Sequence, residues 1–265
     1  MKPTILLYDS GMGGLTVYDE IRKKLPNAHY LYYFDNACFP YSEKPTEVLV
    51  ERATKMVQKM AKNYPLDLVV VACNTASTVV LPTLRKIFPF PIVGTVPAIK
   101  PAAALSQTKT IGLLATKGTI TRPYVLSLIE QYAPNCQIEK IGSTALVELV
   151  EQKLQTGVID LTRLTPIIAD WQNHPTLDTV ILGCTHFPMV KTELQQLLPN
   201  VKYFLDSGNA IANRVTHLIM HSPHNQQLEK QRENLAFCTQ QNNQFKQQAK
   251  IMQRWGFPQL NTLMI

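Results

Sequence analysis

Cysteine is scarce and scattered in this chain: five in 265 residues, at positions 38, 73, 136, 184 and 238, with no C-x-x-C. An odd number leaves at least one thiol outside any intramolecular disulfide. The spacing suits neither a disulfide scaffold nor a zinc ribbon, so free thiols and no metal are expected. Long apolar runs are missing as well. No stretch approaches the ~18 residues of a membrane span, and Asp9 interrupts the opening segment too early for a signal peptide. A cytoplasmic protein with no membrane partner is expected. The glycines at 11, 13 and 14 lack both the Lys-Ser/Thr ending of a P-loop and the third glycine of a dinucleotide fingerprint. Lys and Arg exceed Asp and Glu by 26 to 19, a net charge of +7 that permits an anionic ligand. These residues are dispersed, with a mild concentration after Lys230, and no motif points to nucleic acid as a partner.

What is present is a regular alternation. Apolar, β-branched runs at 5–8, 29–34, 66–71, 90–93, 110–115, 138–141, 179–182 and 201–205 read as strands. Helical patterns fall between them, ending near Lys24, covering 46–63 with Thr46 as cap, and closing at 85–88 before Pro89. Others occur at 122–132, 144–156, 160–172, 189–198 and from 209 onward. This order predicts an α/β fold with parallel sheets. Leu66-Asp67-Leu68-Val69-Val70-Val71-Ala72-Cys73 is matched by Leu177-Asp178-Thr179-Val180-Ile181-Leu182-Gly183-Cys184, and both copies run on to similar helix ends at Pro89 and Pro199. The match indicates an internal duplication, with two similar domains related by a pseudo-twofold and one thiol from each facing a cleft between them. The expected division is 1–97 plus 212–265, and 98–211. The tail after 211 reads as mostly helical and Gln-rich, too short for a domain, and packed back on the first half.

Each of the two cysteines sits at the carboxyl end of a buried strand, the edge where open α/β sheets bind ligands. Helix-start amides favour a thiolate there. With a thiol pKa near 8.5, forming the thiolate at neutral pH costs only about 2 kcal/mol. Two thiols on opposite faces of a substrate can serve as base and acid and exchange roles in the reverse reaction. Asp9 and Ser10 end the first strand on the edge that carries Cys73, and His186 lies two residues after Cys184. Asn74, Thr75 and Thr185 supply donors and acceptors for a carboxylate and an amino group; donors aimed at developing negative charge are typically worth ~3 kcal/mol each. Cys38, Cys136 and Cys238 lack such surroundings and read as structural.

The segments DSGMGGL at 9–15, FPYSEK at 39–44, ACNTAS at 72–77, VPAIKPA at 96–102, LVELVE at 146–151 and GCTHFP at 183–188 resemble bacterial glutamate racemases, within the aspartate/glutamate racemase family. The resemblance covers essentially the whole chain. It implies a cofactor-independent isomerase interconverting L- and D-glutamate for peptidoglycan synthesis, built of two similar α/β domains around a cleft. It implies that Cys73 and Cys184 are the two acid/bases, the first acting on D-glutamate and the second on L-glutamate. Asp9 and His186 match their assistants, and Glu151 matches a further acidic helper. Ser10, Tyr41, Ser42, Asn74, Thr75 and Thr185 match substrate contacts, with Thr116 and Thr119 as weaker candidates. Serine at 42 replaces the family's glycine, and a left-handed backbone there would be strained. The resemblance leaves open a homodimer and a peptidoglycan-precursor regulator, for which the sequence offers no site. Two other readings are an aspartate racemase and a redox or soft-metal thiol pair. Related aspartate racemases tend to carry Glu at the position of His186 and His near Ser77, which favours glutamate; the missing C-x-x-C opposes the thiol pair.

Overall fold

The computed structural model describes residues 2–221 and 233–265. Two compact units emerge, Met1–Thr95 with Gly208–Ile265, and Val96–Ser207. The first begins with β1 (Thr4–Asp9), α1 (Leu15–Lys24), β2 (His29–Phe34), α2 (Thr46–Asn63), β3 (Leu68–Val71), α3 (Asn74–Ile87) and β4 (Ile92–Gly94). The second comprises α4 (Ile99–Leu105), β5 (Thr110–Ala115), α5 (Lys117–Ile120), α6 (Pro123–Tyr132), β6 (Gln137–Gly142), α7 (Ala145–Thr156), α8 (Leu161–Leu164), α9 (Ala169–Gln172), β7 (Leu177–Leu182), α10 (Lys191–Leu197) and β8 (Tyr203–Leu205). The chain then returns to the first unit as α11 (Gly208–Met220), β9 (Leu235–Cys238), α12 (Phe245–Arg254) and β10 (Gln259–Thr262).

Each unit holds a parallel sheet, in the order β10-β9-β2-β1-β3-β4 and β6-β5-β7-β8 respectively. Within each, the first four strands stand in the same order: second, first, third, fourth. The duplicated sequence is thus a duplicated topology, with β3 and β7 as equivalent strands. Both are fully or almost fully buried, as expected for parallel strands covered on both faces. Their apolar side chains each contribute roughly 1.5–3 kcal/mol by leaving water.

Several local expectations need correction. Thr46 is the first residue of α2, and the cap position is Pro45, which makes no side-chain cap bond. The segment 160–172 is not one helix: Pro166 falls in a 3-10 turn, Thr165–Ile168, that separates α8 from α9. α4 was not expected, because Pro97 and Pro101 mask its short pattern. The tail holds two strands, β9 and β10, that extend the first sheet beside β2. The part of the expected helical tail at 222–232, including Lys230, lies outside the described residues.

Asp178, at the second residue of β7, ties the second sheet to the loop before β5. Its carboxylate accepts bonds from Ser106 Oγ (2.7 Å), the backbone amides of Gln107 (2.8 Å) and Thr108 (3.0 Å), and Thr179 Oγ1 (2.8 Å). Burial opposes its ionisation, but these donors outweigh burial and hold the pKa at about 2. A carboxyl depressed from its unfolded value stabilises the fold above that value and loses the contribution as pH falls through the folded one. Asp178→Ala is therefore expected to cost about 2 kcal/mol more near pH 7 than near pH 2, on top of a pH-independent cost for the donors it leaves without an acceptor. Urea unfolding from pH 7 to pH 2 checks this; an equal deficit at both ends would refute it.

Candidate functional site

In the first unit, β1 ends at Asp9, and its carboxylate accepts the amide hydrogens of Ser10 and Gly14, each at 2.6 Å. This closes the glycine turn. A side chain at Gly14 would not fit, since its Cβ would stand 2.8 Å from the Tyr32 hydroxyl and 2.9 Å from the Ala72 Cβ. Ser10 Oγ lies 3.4 Å from Asp9 Oδ1 and 3.8 Å from Cys73 Sγ, so a hydroxyl connects the carboxylate with the thiol. Cys73 occupies the N-cap position of α3 in extended conformation (φ −138°, ψ 116°), and Asn74 and Thr75 form the first turn, all three buried. The thiol thus stands where the helix presents unspent amides and partial positive charge. Asn74 Nδ2 is buried without a hydrogen-bond partner among the described residues. Such a donor costs about 1–3 kcal/mol unless a ligand accepts its proton.

Tyr41 opens a 3-10 turn, Tyr41–Glu43, and its phenol is turned into the core. It donates to Asp35 Oδ2 at 2.7 Å and accepts from the Tyr8 hydroxyl at 2.9 Å, so the phenol is committed within the unit and Tyr41 can offer a ligand its backbone. Serine at 42 is accommodated: among described non-glycine residues only Lys109 has positive φ, so the expected left-handed strain does not arise. Ser77 serves structure, donating to Val71 O (3.1 Å) and accepting from the Thr95 amide (2.9 Å) to join β3 and β4.

In the second unit, the Gly183 amide donates to Leu114 O at 2.7 Å, as the Ala72 amide donates to Tyr8 O at 2.7 Å, and places Cys184 just past the end of β7. Beyond the cysteine the two units part. A 3-10 turn, Phe187–Val190, precedes α10, so Cys184 does not cap an α-helix. Its immediate partner is His186, with Nδ1 3.7 Å from Sγ and Nε2 2.7 Å from Glu151 Oε1. The imidazole is buried, which alone would keep it neutral. The Cys184 sulfur and the Glu151 carboxylate reverse this and raise its pKa well above the usual histidine value. In place of helix amides, the second thiol thus has an imidazolium. Lys153 donates to Met189 O (2.8 Å) and Glu193 Oε1 (2.6 Å), and so ties α7, which carries Glu151, to the turn after His186. Thr185 is buried beside Cys184. Thr116 and Thr119 share a 2.8 Å hydroxyl contact, and Thr116 Oγ1 accepts the Thr119 amide (3.2 Å) to cap α5.

The equivalence of the sheets shows where the units diverge. The Asp35 amide donates to Asp9 O (3.0 Å), and the Ser143 amide donates to Ala115 O (2.9 Å), so Ala115 stands where Asp9 stands. The second thiol receives its carboxylate from α7 instead. The sequence reading missed Asp35, Arg52, Tyr8, Thr239 and Lys153, whose partners lie on other elements; only Asp35, just past the end of a strand as Asp9 ends β1, carried a signal that could have found it.

A separate cavity of about 650 Å³ lies in the first unit, lined in part by Arg85, Phe88, Phe90, Gly94, Arg214 and Leu218. Phe88 and Phe90 stack there with ring centroids 5.4 Å apart. Among the described residues, no three His, Cys, Asp or Glu side chains gather as a metal site, and no helix is long and apolar enough to cross a membrane.

The chain is similar to known proteins over essentially its whole length. The family Asp/Glu/Hydantoin racemase matches residues 12–215. A glutamate racemase of Actinobacillus pleuropneumoniae serotype 5b is 69% identical, covering 99% of either chain. The crystal structure of Escherichia coli glutamate racemase in complex with L-glutamate and the activator UDP-MurNAc-ala superposes with a TM-score of 0.94 at 48% identity, over 100% of this chain and 99% of that one. A glutamate racemase isoform of Bacillus anthracis gives a TM-score of 0.81 at 26% identity, over 99% and 97%.

Proposed function

The chain belongs to the Asp/Glu/Hydantoin racemase family, and from this premise we propose that it interconverts L- and D-glutamate without a cofactor, by two-thiol acid/base chemistry. The observation that carries the proposal is the pair of buried cysteines ending equivalent strands of two like sheets, each with its own proton-handling partner. In a reactive complex each sulfur approaches one face of the α-carbon to about 3–3.5 Å. Cys73 removes the proton of D-glutamate while Cys184 delivers one to the opposite face, and the roles reverse for L-glutamate. Ser10 and the α3 amides favour the Cys73 thiolate; His186, held by Glu151, does so for Cys184. The Asn74 amide, the Thr75 and Thr185 hydroxyls and the backbone at 41–42 receive the carboxylates and the carbanion's charge. Asp9 and Ser10 hold the ammonium side.

The product serves peptidoglycan synthesis in the cytoplasm. A peptidoglycan-precursor nucleotide, of the kind bound by the E. coli relative, is proposed as an activator of this chain too. The separate cavity suits it chemically, with the Arg85 and Arg214 guanidiniums for a diphosphate and the stacked phenylalanines for a base.

The test is circular dichroism of pure L- and D-glutamate in heavy water without added cofactor. The signal is expected to decay to zero from either enantiomer. At low conversion the product carries deuterium at Cα while remaining substrate keeps protium. An unchanged signal would refute the activity; product retaining the substrate's own proton would refute the two-base pathway. Equal or greater kcat/KM with aspartate would move the assignment to that substrate.

A further inference from the structure

No step of the proposed reaction uses Asp35, yet four side-chain hydrogen bonds converge on it. It is fully buried and accepts from Arg52 Nε (2.5 Å) and Nη2 (2.6 Å), the Tyr41 hydroxyl (2.7 Å) and Thr239 Oγ1 (2.7 Å). The Arg52 guanidinium is held protonated by these bonds. Such a pair is not a requirement of the sheet, because the equivalent position in the second unit is Ser143, which only caps α7 through the Leu146 amide (3.1 Å). A buried ion pair also adds little stability over well-packed apolar residues. Its placement is more informative. One oxygen holds the residue that opens the 41–43 turn. The other holds Thr239, from chain that rejoins this unit after residue 208. The Tyr8 hydroxyl donates to Tyr41 and Tyr41 donates to Asp35, so both phenol protons point toward the carboxylate. Tyr8 packs in one core cluster with Tyr41 and Cys73. Burial first, and then negative charge on Cys73 and Asp35, keep the Tyr8 phenol protonated.

We propose that Asp35, braced by Arg52 and Thr239, is a positioning residue of the Cys73 half-site: it fixes Tyr41 and with it the backbone at 41–42 that receives substrate. This rests on the assignment of glutamate as substrate. The test is a double-mutant cycle on kcat/KM for glutamate, with thermal unfolding measured alongside. Asp35→Asn is expected to lower kcat/KM about 30-fold, mostly through KM, since a loosened contact made equally in ground and transition states appears there. Tyr41→Phe is expected to lower it about tenfold, and the double variant no further than Asp35→Asn alone. Because Asp35→Asn leaves a partly buried guanidinium without its counter-charge, a second cycle pairs Thr239→Val with Tyr41→Phe. These two side chains meet through opposite oxygens of Asp35, so a three- to tenfold coupling between them reports the carboxylate. Additive losses in either cycle, or a loss that merely tracks the folded fraction, would overturn the proposal. Wild-type protein inactive on both enantiomers would overturn the function instead, and the two failures are thereby distinguished.

Discussion

Replacing either Cys73 or Cys184 by alanine is expected to lower kcat/KM for glutamate by roughly 10³–10⁴ in both directions. The two directions must fall together, because enantiomers interconvert with an equilibrium constant of one and the ratio of the two kcat/KM values is fixed by it. The size of the loss is therefore the diagnostic quantity. Both cysteines are almost fully buried, at 5% and 6% exposure, so each substitution leaves a small cavity and costs about 1–2 kcal/mol of stability. The fold should survive with activity gone, as thermal unfolding and circular dichroism of L-glutamate would register. A variant that retained a tenth of the wild-type kcat/KM would show that the missing thiol is neither base nor acid.

The second large effect concerns His186. His186→Asn is expected to lower kcat/KM about 100-fold in both directions, and its signature lies in isotope effects. With the imidazolium gone, proton transfer at Cys184 becomes the slow step. Under the proposed assignment that step is abstraction from L-glutamate, so the primary effect of α-deuterium on kcat/KM is expected to rise. From D-glutamate the abstraction at Cys73 no longer limits, so the substrate's own isotope effect shrinks. Glu151→Gln should shift both in the same sense by a smaller amount, since it weakens the 2.7 Å contact to Nε2 without removing the ring. Equal isotope effects for the two enantiomers would detach His186 from Cys184.

The sequence made some of this legible and hid the rest for physical reasons. The parallel sheets were readable because strands buried on both faces read as near-continuous apolar runs, as in Leu68–Val71 and residues 180–182 of β7. The thiols were readable because their flanks are repeated. β10 was not, since Gln259–Thr262 is a short polar edge strand with little hydrophobic signal, and β9 was not because four apolar residues, Leu235–Cys238, are too few to separate strand from helix by period. Nor was the difference between the two thiols. Cys73 and Cys184 end like strands, but only the conformation of the next few residues decides whether helix amides or an imidazole stands beside the sulfur. The carboxylate network was least accessible, because Asp35 and Thr239 are 204 residues apart, and no local pattern encodes a contact across that span.

The return of the chain to its first unit has a consequence for biosynthesis. Residues 96–207 form a unit that is contiguous in sequence, and every strand of its sheet leaves the ribosome within one stretch. The other sheet needs β9 and β10, which are synthesised only after that stretch is complete. Until then β2 has an open edge, with unpaired amides and carbonyls exposed to other chains. The nascent protein therefore acquires its Cys184 environment early. Its Cys73 environment matures last, when Thr239 reaches Asp35, and the interval between is when β2 is most open to aggregation and most in need of a chaperone.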